Sequence, residues 1–349
     1  MNRKKTKQIK VGSVLVGGDA PITIQSMTNT NTSDIEATVN QILRMEEKGC
    51  HIVRSAINNL EDAKAIKVIK DRTNIPFIAD IQFDYKLGLM AVEHGCDCLR
   101  INPGNIGAEY KVKEVVDICR KYDVPIRIGV NSGSLSREII DKFGGVNTDS
   151  LVASAIDQVQ MLEKYDFDKI KISIKSSNVN TMIESYTKLS SLVDYPLHLG
   201  VTEAGPVLKG TIKSSIGIGT LLYNGIGDTF RVSLTGDSVQ EVVVGREILK
   251  SLGLLKEGID LISCPTCSRT KIDLIDLVNR AEKRLENLNK VATIAIMGCP
   301  VNGPGEAREA DLGIACGDGY GILFKKGKVI RRVEEKDLLE ALINEVEML

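Results

Sequence analysis

Short apolar runs alternate with amphipathic helical patterns over residues 22–252. The apolar runs predict eight β-strands, at 22–27, 51–56, 77–81, 98–102, 126–130, 169–174, 197–202 and 229–234. Apolar residues at helical spacing predict helices at 34–48, 60–72, 85–94, 108–121, 150–165, 179–192, 208–222 and 238–251. Strand followed by helix, eight times over, predicts parallel pairing and right-handed crossovers, and therefore a (β/α)8 or TIM barrel. A doubly wound sheet is the alternative, but no glycine-rich dinucleotide turn follows the first strand.

A second pattern begins after the glycine-containing segment 253–258. It predicts helices at 271–287 and 336–349 and strands at 292–297, 312–315 and 320–324. A segment of this length, about 90 residues, can bury a small core of its own. We therefore expect two domains, a barrel over residues 1–252 and a smaller α+β domain over residues 253–349.

Composition and charge narrow the class of protein. The chain has 349 residues, 43% of them apolar and 26% charged, with a net charge of −1. This near-neutral balance argues against a nucleic-acid or membrane-surface partner. No apolar run approaches the roughly 18 residues of a membrane span, and the basic N-terminus leads into polar sequence without a signal core. We expect a cytoplasmic enzyme.

Positively charged residues occur inside, or at the end of, several predicted barrel strands. They are Arg54, Arg100, Arg127, Lys171, Lys175 and Arg231. Buried cations are unfavourable unless they are paired or bind an anion, and residues at strand ends converge on the mouth of a barrel. The competing interpretation is a set of internal ion pairs with Asp80, Glu203 and Asp228. Six cations against three acids favour a substrate with several negative charges, most simply two phosphoryl groups.

Other polar residues follow the same strands. The turn-forming segments NPGN, from Asn102, and NSGS, from Asn131 to Ser134, have backbone N–H groups suited to cradling phosphate. Glu203 ends the seventh predicted strand, where a carboxylate can act as a proton donor or serve as a counter-ion for a lysine. His198, inside the same strand, is predicted to be a core residue.

Three cysteines in the second segment have metal-ligand spacing. Cys264 and Cys267 form a C-x2-C pair, and Cys299 follows after 31 residues. Three thiolates are one short of an ordinary four-cysteine iron–sulfur set. The fourth ligand is either Glu306, in a Gly-Pro-Gly turn, or Cys316. A structural zinc site in this segment would require Cys316, which lies in an alternating apolar run and is predicted to be a packed thiol.

Six longer motifs support a more specific interpretation. They are QSMTNT (25–30), RINPGNIG (100–107), RIGVNSGSL (127–135), GVTEAG (200–205), SCPTC (263–267) and CPVNGPGEAREAD (299–311). Together they resemble the 4-hydroxy-3-methylbut-2-enyl diphosphate synthases, in the bacterial two-domain form, of the non-mevalonate isoprenoid pathway. The motifs fall in both halves of the chain, so the resemblance covers its whole length.

The resemblance implies a fold, a reaction and partners. The fold is a (β/α)8 barrel followed by a [4Fe–4S] domain. The reaction is the two-electron reductive ring opening and dehydroxylation of 2-C-methyl-D-erythritol 2,4-cyclodiphosphate. Electrons come from flavodoxin or ferredoxin. The implied assembly is a homodimer in which the cluster domain of one subunit caps the barrel of the other.

The resemblance also assigns residues. Cys264, Cys267, Cys299 and the carboxylate of Glu306 would bind the cluster, and Glu203 would be the acid/base residue. With the polar residues of the mouth included, the expected substrate ligands are Arg54, Arg100, Asn102, Arg127, Asn131, Ser134, Lys171, Lys175 and Arg231. A weak carboxylate ligand is suited to exchange with a substrate oxygen, which gives Glu306 a catalytic role.

Two positions depart from the family pattern. Gln82 stands where the family commonly has histidine, and Cys316 where it commonly has glycine. The alternative function is a phosphate-binding barrel lyase whose second domain is a structural zinc module. Iron and sulfide in the purified protein would distinguish the first function from the second.

Overall fold

A computed structural model describes residues 3–286, 288, 290–299 and 307–349, with only the backbone described at Ser134. It divides into two compact units, residues up to Leu254 and Leu255–Leu349. No helix in the described ranges combines the length and apolar character needed to cross a membrane.

The first unit is an eight-stranded parallel barrel, which confirms the predicted fold. The strands are β3 (Thr23–Met27), β4 (Ile52–Ala56), β5 (Phe77–Asp80), β6 (Cys98–Ile101), β7 (Ile126–Asn131), β8 (Ile170–Lys175), β9 (His198–Leu199) and β10 (Thr229–Phe230). Their order in the sheet is β8-β7-β6-β5-β4-β3-β10-β9. A parallel bridge from Ile172 to Leu197 joins the two edges and closes the barrel. The last two strands are shorter than predicted.

Helices follow the barrel strands, most of them where the apolar periodicity placed them. They are α1 (Ile35–Glu47), α2 (Leu60–Asp71), α3 (Tyr85–Glu93), α4 (Pro103–Ile106), α5 (Glu109–Tyr122), α6 (Arg137–Phe143), α7 (Thr148–Glu163), α8 (Val179–Leu192), α9 (Val207–Tyr223) and α10 (Ser238–Ser251). The short helices α4 and α6 were not predicted. Asn102 caps α4 and Pro103 occupies its first turn, while Ser136 caps α6.

An N-terminal hairpin was also not predicted, because its strands are too short to show an alternating pattern. Strands β1 (Ile9–Val11) and β2 (Val14–Val16) pair in antiparallel fashion. The hairpin places Ile9, Val11 and Val16 in one apolar cluster with Ile52, Ile78 and Cys98 of the barrel strands. The hairpin therefore packs against the end of the barrel opposite the mouth.

The strand register stacks the inward-facing side chains in layers, each taken from alternate strands. From the hairpin end towards the mouth, the layers are Ile52, Cys98, Lys171 and Thr229; Gln25, Ile78, Arg127 and His198; Arg54, Arg100, Ser173 and Arg231; and Met27, Asp80, Gly129 and Gly200. Apolar residues are concentrated in the two lowest layers, and cations occupy part of the three lowest ones.

The second unit has a five-stranded sheet with helices packed against it. The strands are β11 (Ile259–Ser263), β12 (Ala292–Met297), β13 (Leu312–Cys316), β14 (Tyr320–Lys325) and β15 (Lys328–Glu334), in that order; the helices are α11 (Leu274–Leu285) and α12 (Leu338–Glu347). The first three strands are parallel and the last two pairings are antiparallel. The edge strands β11 and β15 were not predicted, because exposure interrupts their apolar pattern.

Candidate active site

Two arginines at the barrel mouth share one buried carboxylate. Arg100 Nη1 donates to Asp80 Oδ1 at 2.9 Å, and Arg54 Nε lies 3.5 Å from Asp80 Oδ2. Burial by itself would raise the pKa of Asp80, but Arg54 and Arg100 together hold it below its ordinary value. Burial lowers the pKa of Arg54 to about 10 against the opposing effect of Asp80, so this guanidinium remains charged at neutral pH.

Two glycines in the fourth layer from the hairpin end make room for cations. A Cβ at Gly129 would overlap the Arg100 guanidinium, and Arg100 Nη2 donates to the Gly129 carbonyl at 3.3 Å. A Cβ at Gly200 would lie 2.8 Å from Lys175 Nζ. Burial lowers the pKa of Lys175 well below its ordinary value, and the neighbouring arginines lower it further. These glycines allow charged side chains to extend across the barrel axis.

Arg231 is bound by a carboxylate that sequence reasoning missed. Arg231 Nε and Nη2 donate to the two oxygens of Glu241, each at 2.9 Å. Glu241 also accepts from Ser26 Oγ at 2.8 Å and from the Leu234 N–H at 3.1 Å, and it is buried. The sequence could have indicated this role, because Glu241 is a carboxylate on the apolar face of a predicted helix.

Arg127 and Lys171 lie deeper in the barrel than the sequence suggested. Arg127 donates to Ser173 Oγ at 3.2 Å and to Gln25 Oε1 at 3.3 Å. Lys171 is one layer lower and fully buried, and its Nζ has no hydrogen-bond partner among the described residues. Burial lowers the pKa of Lys171 to about 8. These two cations act on the mouth from beneath.

His198 is a core residue, as its position in an apolar strand suggested. Its Nδ1 lies 3.1 Å from Thr229 Oγ1, and the side chain is fully buried. Burial, followed by the charges of Arg127 and Lys175, holds the pKa of His198 well below its ordinary value. The ring therefore stays neutral at physiological pH.

The ion-pair interpretation accounts for only part of this charge. Of the three acids considered, Asp80 pairs with cations of the mouth. Asp228 instead binds Arg3 at 2.6 Å, and the exposed Glu203 has no ion pair among the described residues. Within the described residues, therefore, Asp80 and Glu241 are the buried carboxylates that form ion pairs with the six cations, and they pair with three of them, Arg54, Arg100 and Arg231. The remaining positive charge favours an anionic ligand.

Further polar groups line the strand ends. Asn102 is buried and accepts the Gly104 N–H at 3.1 Å, and Asn131 lies beside Lys175 in the strand register. The side chain of Ser134 lies outside the described part of the chain. Glu203 has φ = +51°, a left-handed conformation unfavourable for a residue with a Cβ. Such strain is concentrated at functional sites.

Two of the three candidate cysteine ligands in the second unit lie near the ends of neighbouring strands. Cys264 directly follows β11, and Cys299 comes two residues after β12, which pairs with β11 in parallel. The Gly298 N–H donates to Cys264 Sγ at 3.1 Å. The backbone N–H of Arg269 helps to hold the pKa of the exposed Cys267 thiol below its ordinary value. Both contacts suit thiolate sulfurs that bind a metal.

The ligand set is not assembled within the described residues. There, no three His, Cys, Asp or Glu side chains are grouped closely enough to hold a metal ion. Glu306, the predicted fourth ligand, lies outside the described residues. Its rival Cys316 is fully buried in the apolar core of the second unit, on β13. Gln82 is exposed at the mouth end of β5.

Fold and site define a two-domain protein with a cationic (β/α)8 barrel and a thiol-bearing α+β unit. The chain belongs to the GcpE family: residues 6–246 match the GcpE TIM-barrel domain and residues 260–348 the GcpE protein C-terminal domain. This confirms the resemblance that the motifs indicated.

Curated relatives match along nearly the whole chain. The 4-hydroxy-3-methylbut-2-en-1-yl diphosphate synthase (flavodoxin) of Clostridium perfringens is 58% identical over 347 residues, covering 99% of each chain. The protein of the same name from Caldanaerobacter subterraneus is 57% identical over 345 residues, covering 99% of this chain and 97% of its own. Dihydropteroate synthase from Xanthomonas albilineans aligns with a TM-score of 0.50 at 12% identity, covering 71% of this chain and 99% of its own, which shows the barrel fold alone.

Proposed function

We propose that this protein catalyses the reductive ring opening and dehydroxylation of 2-C-methyl-D-erythritol 2,4-cyclodiphosphate, giving (E)-4-hydroxy-3-methylbut-2-enyl diphosphate. The names of relatives that are 57–58% identical over nearly the full length support this reaction. In the structure, the observation that carries it is the excess of buried positive charge at the barrel mouth. A cyclic diphosphate has the anionic groups that this charge requires.

The arginines and Lys175 bind and orient the two phosphoryl groups. Asp80 lies beside both Arg54 and Arg100. Among the described residues, Arg54 Nη2 donates only to the weak acceptor Met27 Sδ, so it can donate to a phosphoryl oxygen instead. Asn102, Asn131 and Ser134, at the rim, add neutral donors. Arg127 and Lys171 add positive potential from the layers beneath. Held in this way, the ring has a fixed orientation at the mouth, which favours the reaction by reducing the entropy lost in the transition state.

Glu203 is the proposed acid/base residue. It lies in the loop after β9, on the mouth side, and is exposed to solvent. A carboxylic acid at this position can donate the proton that lets the hydroxyl group leave as water. Its left-handed backbone fixes the direction of the side chain at a cost of about 1–3 kcal/mol, as is typical of functional positions.

Cys264, Cys267, Cys299 and Glu306 are the proposed ligands of a [4Fe–4S] cluster. The described cysteines fit this role because soft thiolates suit iron, two of them lie near the ends of adjacent strands, and one receives a backbone N–H bond. When bound, the cluster would supply the two electrons of the reaction one at a time. Glu306, as the weak ligand, would be the one to exchange with a substrate oxygen.

The assembly and electron donor are part of the same proposal. The relatives' printed name includes flavodoxin, which makes flavodoxin the first donor to test and ferredoxin the second. Family resemblance supports a cytoplasmic homodimer in which the cluster domain of one subunit caps the partner barrel. Mixing a barrel-inactive variant with a cluster-inactive variant tests this arrangement: recovered activity supports the shared site, and no recovery contradicts it.

The reaction is tested with the anaerobically purified full-length chain. With reduced flavodoxin and the cyclodiphosphate, the linear diphosphate product should appear, and the protein should be brown with iron and sulfide in equal amounts. Colourless protein that contains zinc and does not turn over would contradict the proposal. It would favour the lyase with a zinc module, which the buried position of Cys316 disfavours.

The anion site is tested separately with inorganic pyrophosphate as the probe. Lys175→Met removes a buried cation at the mouth, and binding should weaken by about tenfold, the scale of one lost charge-assisted hydrogen bond. Lys67→Met, on the exposed face of α2, is the matched control and should bind as the wild type does. Equal affinities in the two variants would place the anion elsewhere.

A further inference from the structure

The sulfur of Met27 lies between two of the mouth arginines. Arg54 Nη2 and Nε donate to Met27 Sδ at 2.8 and 3.2 Å, and Arg231 Nη1 donates to the same atom at 3.3 Å. A thioether is a weak acceptor. Donors from two guanidinium groups therefore converge on one point where the protein itself offers only a weak partner.

Each guanidinium group also lies beside a buried carboxylate. Glu241 binds Nε and Nη2 of Arg231, so that Nη1 is the nitrogen directed at Met27. Asp80 Oδ2 lies 3.5 Å from Arg54 Nε, a nitrogen that also donates to Met27 Sδ. The resulting series of contacts, from Glu241 through Arg231, Met27 and Arg54 to Asp80, crosses the barrel from α10 to β5. Met27 is the uncharged member that joins its two ion-paired halves.

We propose that Met27 is a positioning residue whose sulfur keeps Arg54 and Arg231 converged until a phosphoryl oxygen of the substrate replaces it as their shared acceptor. This inference rests on the proposed function and assigns a role within the same site. Charge-assisted bonds to a phosphoryl oxygen are stronger than bonds to a thioether, so the exchange is favourable once substrate arrives. The convergence held by sulfur reduces the ordering of side chains that binding would otherwise require.

The layer arrangement places Met27 where this exchange can occur. Met27 belongs to the layer above Arg54 and Arg231, towards the mouth. Its side chain is partly exposed, whereas both arginines are largely buried beneath it. A ligand entering from the mouth therefore meets the thioether and the guanidinium edges together.

The test compares substitutions at two methionines in the full-length chain. Met27→Leu keeps the volume and removes the acceptor; Met45→Leu makes the same change in the buried face of α1. For Met27→Leu we expect pyrophosphate binding to weaken and KM for the cyclodiphosphate to rise, each by about fivefold, with kcat changed less than about twofold. Met45→Leu should change neither. Met27→Gln, which restores an acceptor oxygen, should recover most of the affinity.

A spectroscopic measurement separates positioning from packing. The Nε–H resonances of Arg54 and Arg231 should shift or broaden in Met27→Leu and keep their wild-type positions in Met45→Leu. Wild-type affinity and unchanged arginine resonances in Met27→Leu would overturn the inference, as would equal losses in both leucine variants. If the wild-type chain bound neither pyrophosphate nor cyclodiphosphate, the proposed function itself would fail. A binding wild type with an unaffected Met27→Leu contradicts the Met27 role alone.

Discussion

The barrel mouth and the cysteine segment differ in how far their chemistry is assembled by the fold. In the barrel, Arg100 is fixed by Asp80 and Arg231 by Glu241, with N···O distances of 2.9 Å in both ion pairs. In the second unit, the described cysteines range from exposed to buried and form no group that could hold a metal. The barrel can prearrange cations because buried carboxylates offset their repulsion. Thiolates repel one another without a metal, and metal binding supplies the free energy that gathers them.

This difference predicts that the two sites respond separately to substitution. Changes to the cysteines should abolish electron transfer while anion binding persists. Changes to the buried carboxylates should destabilise the folded barrel, because they leave the arginines beside them without a paired negative charge. The following substitutions test this separation, beginning with the largest expected effect.

Cys264→Ala should reduce turnover below detection. Cys264 receives the Gly298 N–H and directly follows β11, so its loss removes a proposed cluster ligand. Iron content and visible absorbance should fall together, while pyrophosphate affinity stays at the wild-type value. Cys119→Ala, at a buried thiol in the barrel helix α5, is the control and should retain iron. Loss of pyrophosphate binding in Cys264→Ala would contradict the independence of the two sites.

Glu203→Gln should lower kcat by about a hundredfold to ten-thousandfold, the usual contribution of a general acid. KM should change little, because the side chain of Glu203 is exposed and is not one of the buried cations proposed to bind phosphate. Glu203→Gly makes the complementary test. It should be equally inactive yet more stable by about 1 kcal/mol, because glycine accepts the left-handed backbone without strain. A stable, fully active glycine variant would exclude the acid role.

Asp80→Asn should destabilise the barrel by about 3 kcal/mol, since it leaves Arg54 and Arg100 without their shared buried carboxylate. Chemical denaturation measures the change. The exposed pair of Lys188 and Asp149 gives the matched control: Asp149→Asn should cost less than about 1 kcal/mol. Bound pyrophosphate should restore part of the stability of Asp80→Asn, because it supplies replacement negative charge.

Much of the barrel was predictable because its strands and helices are indicated by patterns of neighbouring residues in the sequence. Eight apolar runs gave the strands, and cations inside those runs marked the mouth. The depth of each cation within the barrel was not predictable from such local patterns. Lys171 and Lys175 face the same side of β8, but the register with neighbouring strands puts Lys171 among the lowest layers.

The partners of the charged groups were less accessible from sequence. Glu241 reaches Arg231 from helix α10, and Arg3 reaches Asp228 from the N-terminal segment. Both contacts depend on tertiary packing rather than on any short pattern. The cysteine spacing indicated a metal site, but spacing alone does not fix the relative positions of thiols that lie in connecting segments of the second unit.

His198 should give the barrel a pH-dependent stability. Its pKa in the folded protein lies well below the ordinary histidine value of 6.5, so below that pH the unfolded chain binds a proton that the folded chain excludes. Stability should therefore fall as pH decreases below 6.5, at up to about 1.4 kcal/mol per pH unit from this residue. His198→Gln should remove that component of the slope. Denaturation measured from about pH 5 to about pH 8, a range that brackets the ordinary histidine pKa, tests this. An unchanged slope would mean that the imidazole can be protonated in the fold.

Cys316→Ala should have the smallest effect, and it sharpens the comparison at the fourth ligand. Cys316 is fully buried among the apolar residues packed on β13, so its replacement should cost about 1 kcal/mol of stability through lost packing. Iron content, visible spectrum and turnover should all remain at wild-type values. Glu306→Ala is the matched variant and should alter the spectrum and abolish turnover. Iron lost from Cys316→Ala and retained in Glu306→Ala would reverse the assignment, because the buried thiol would then be the ligand.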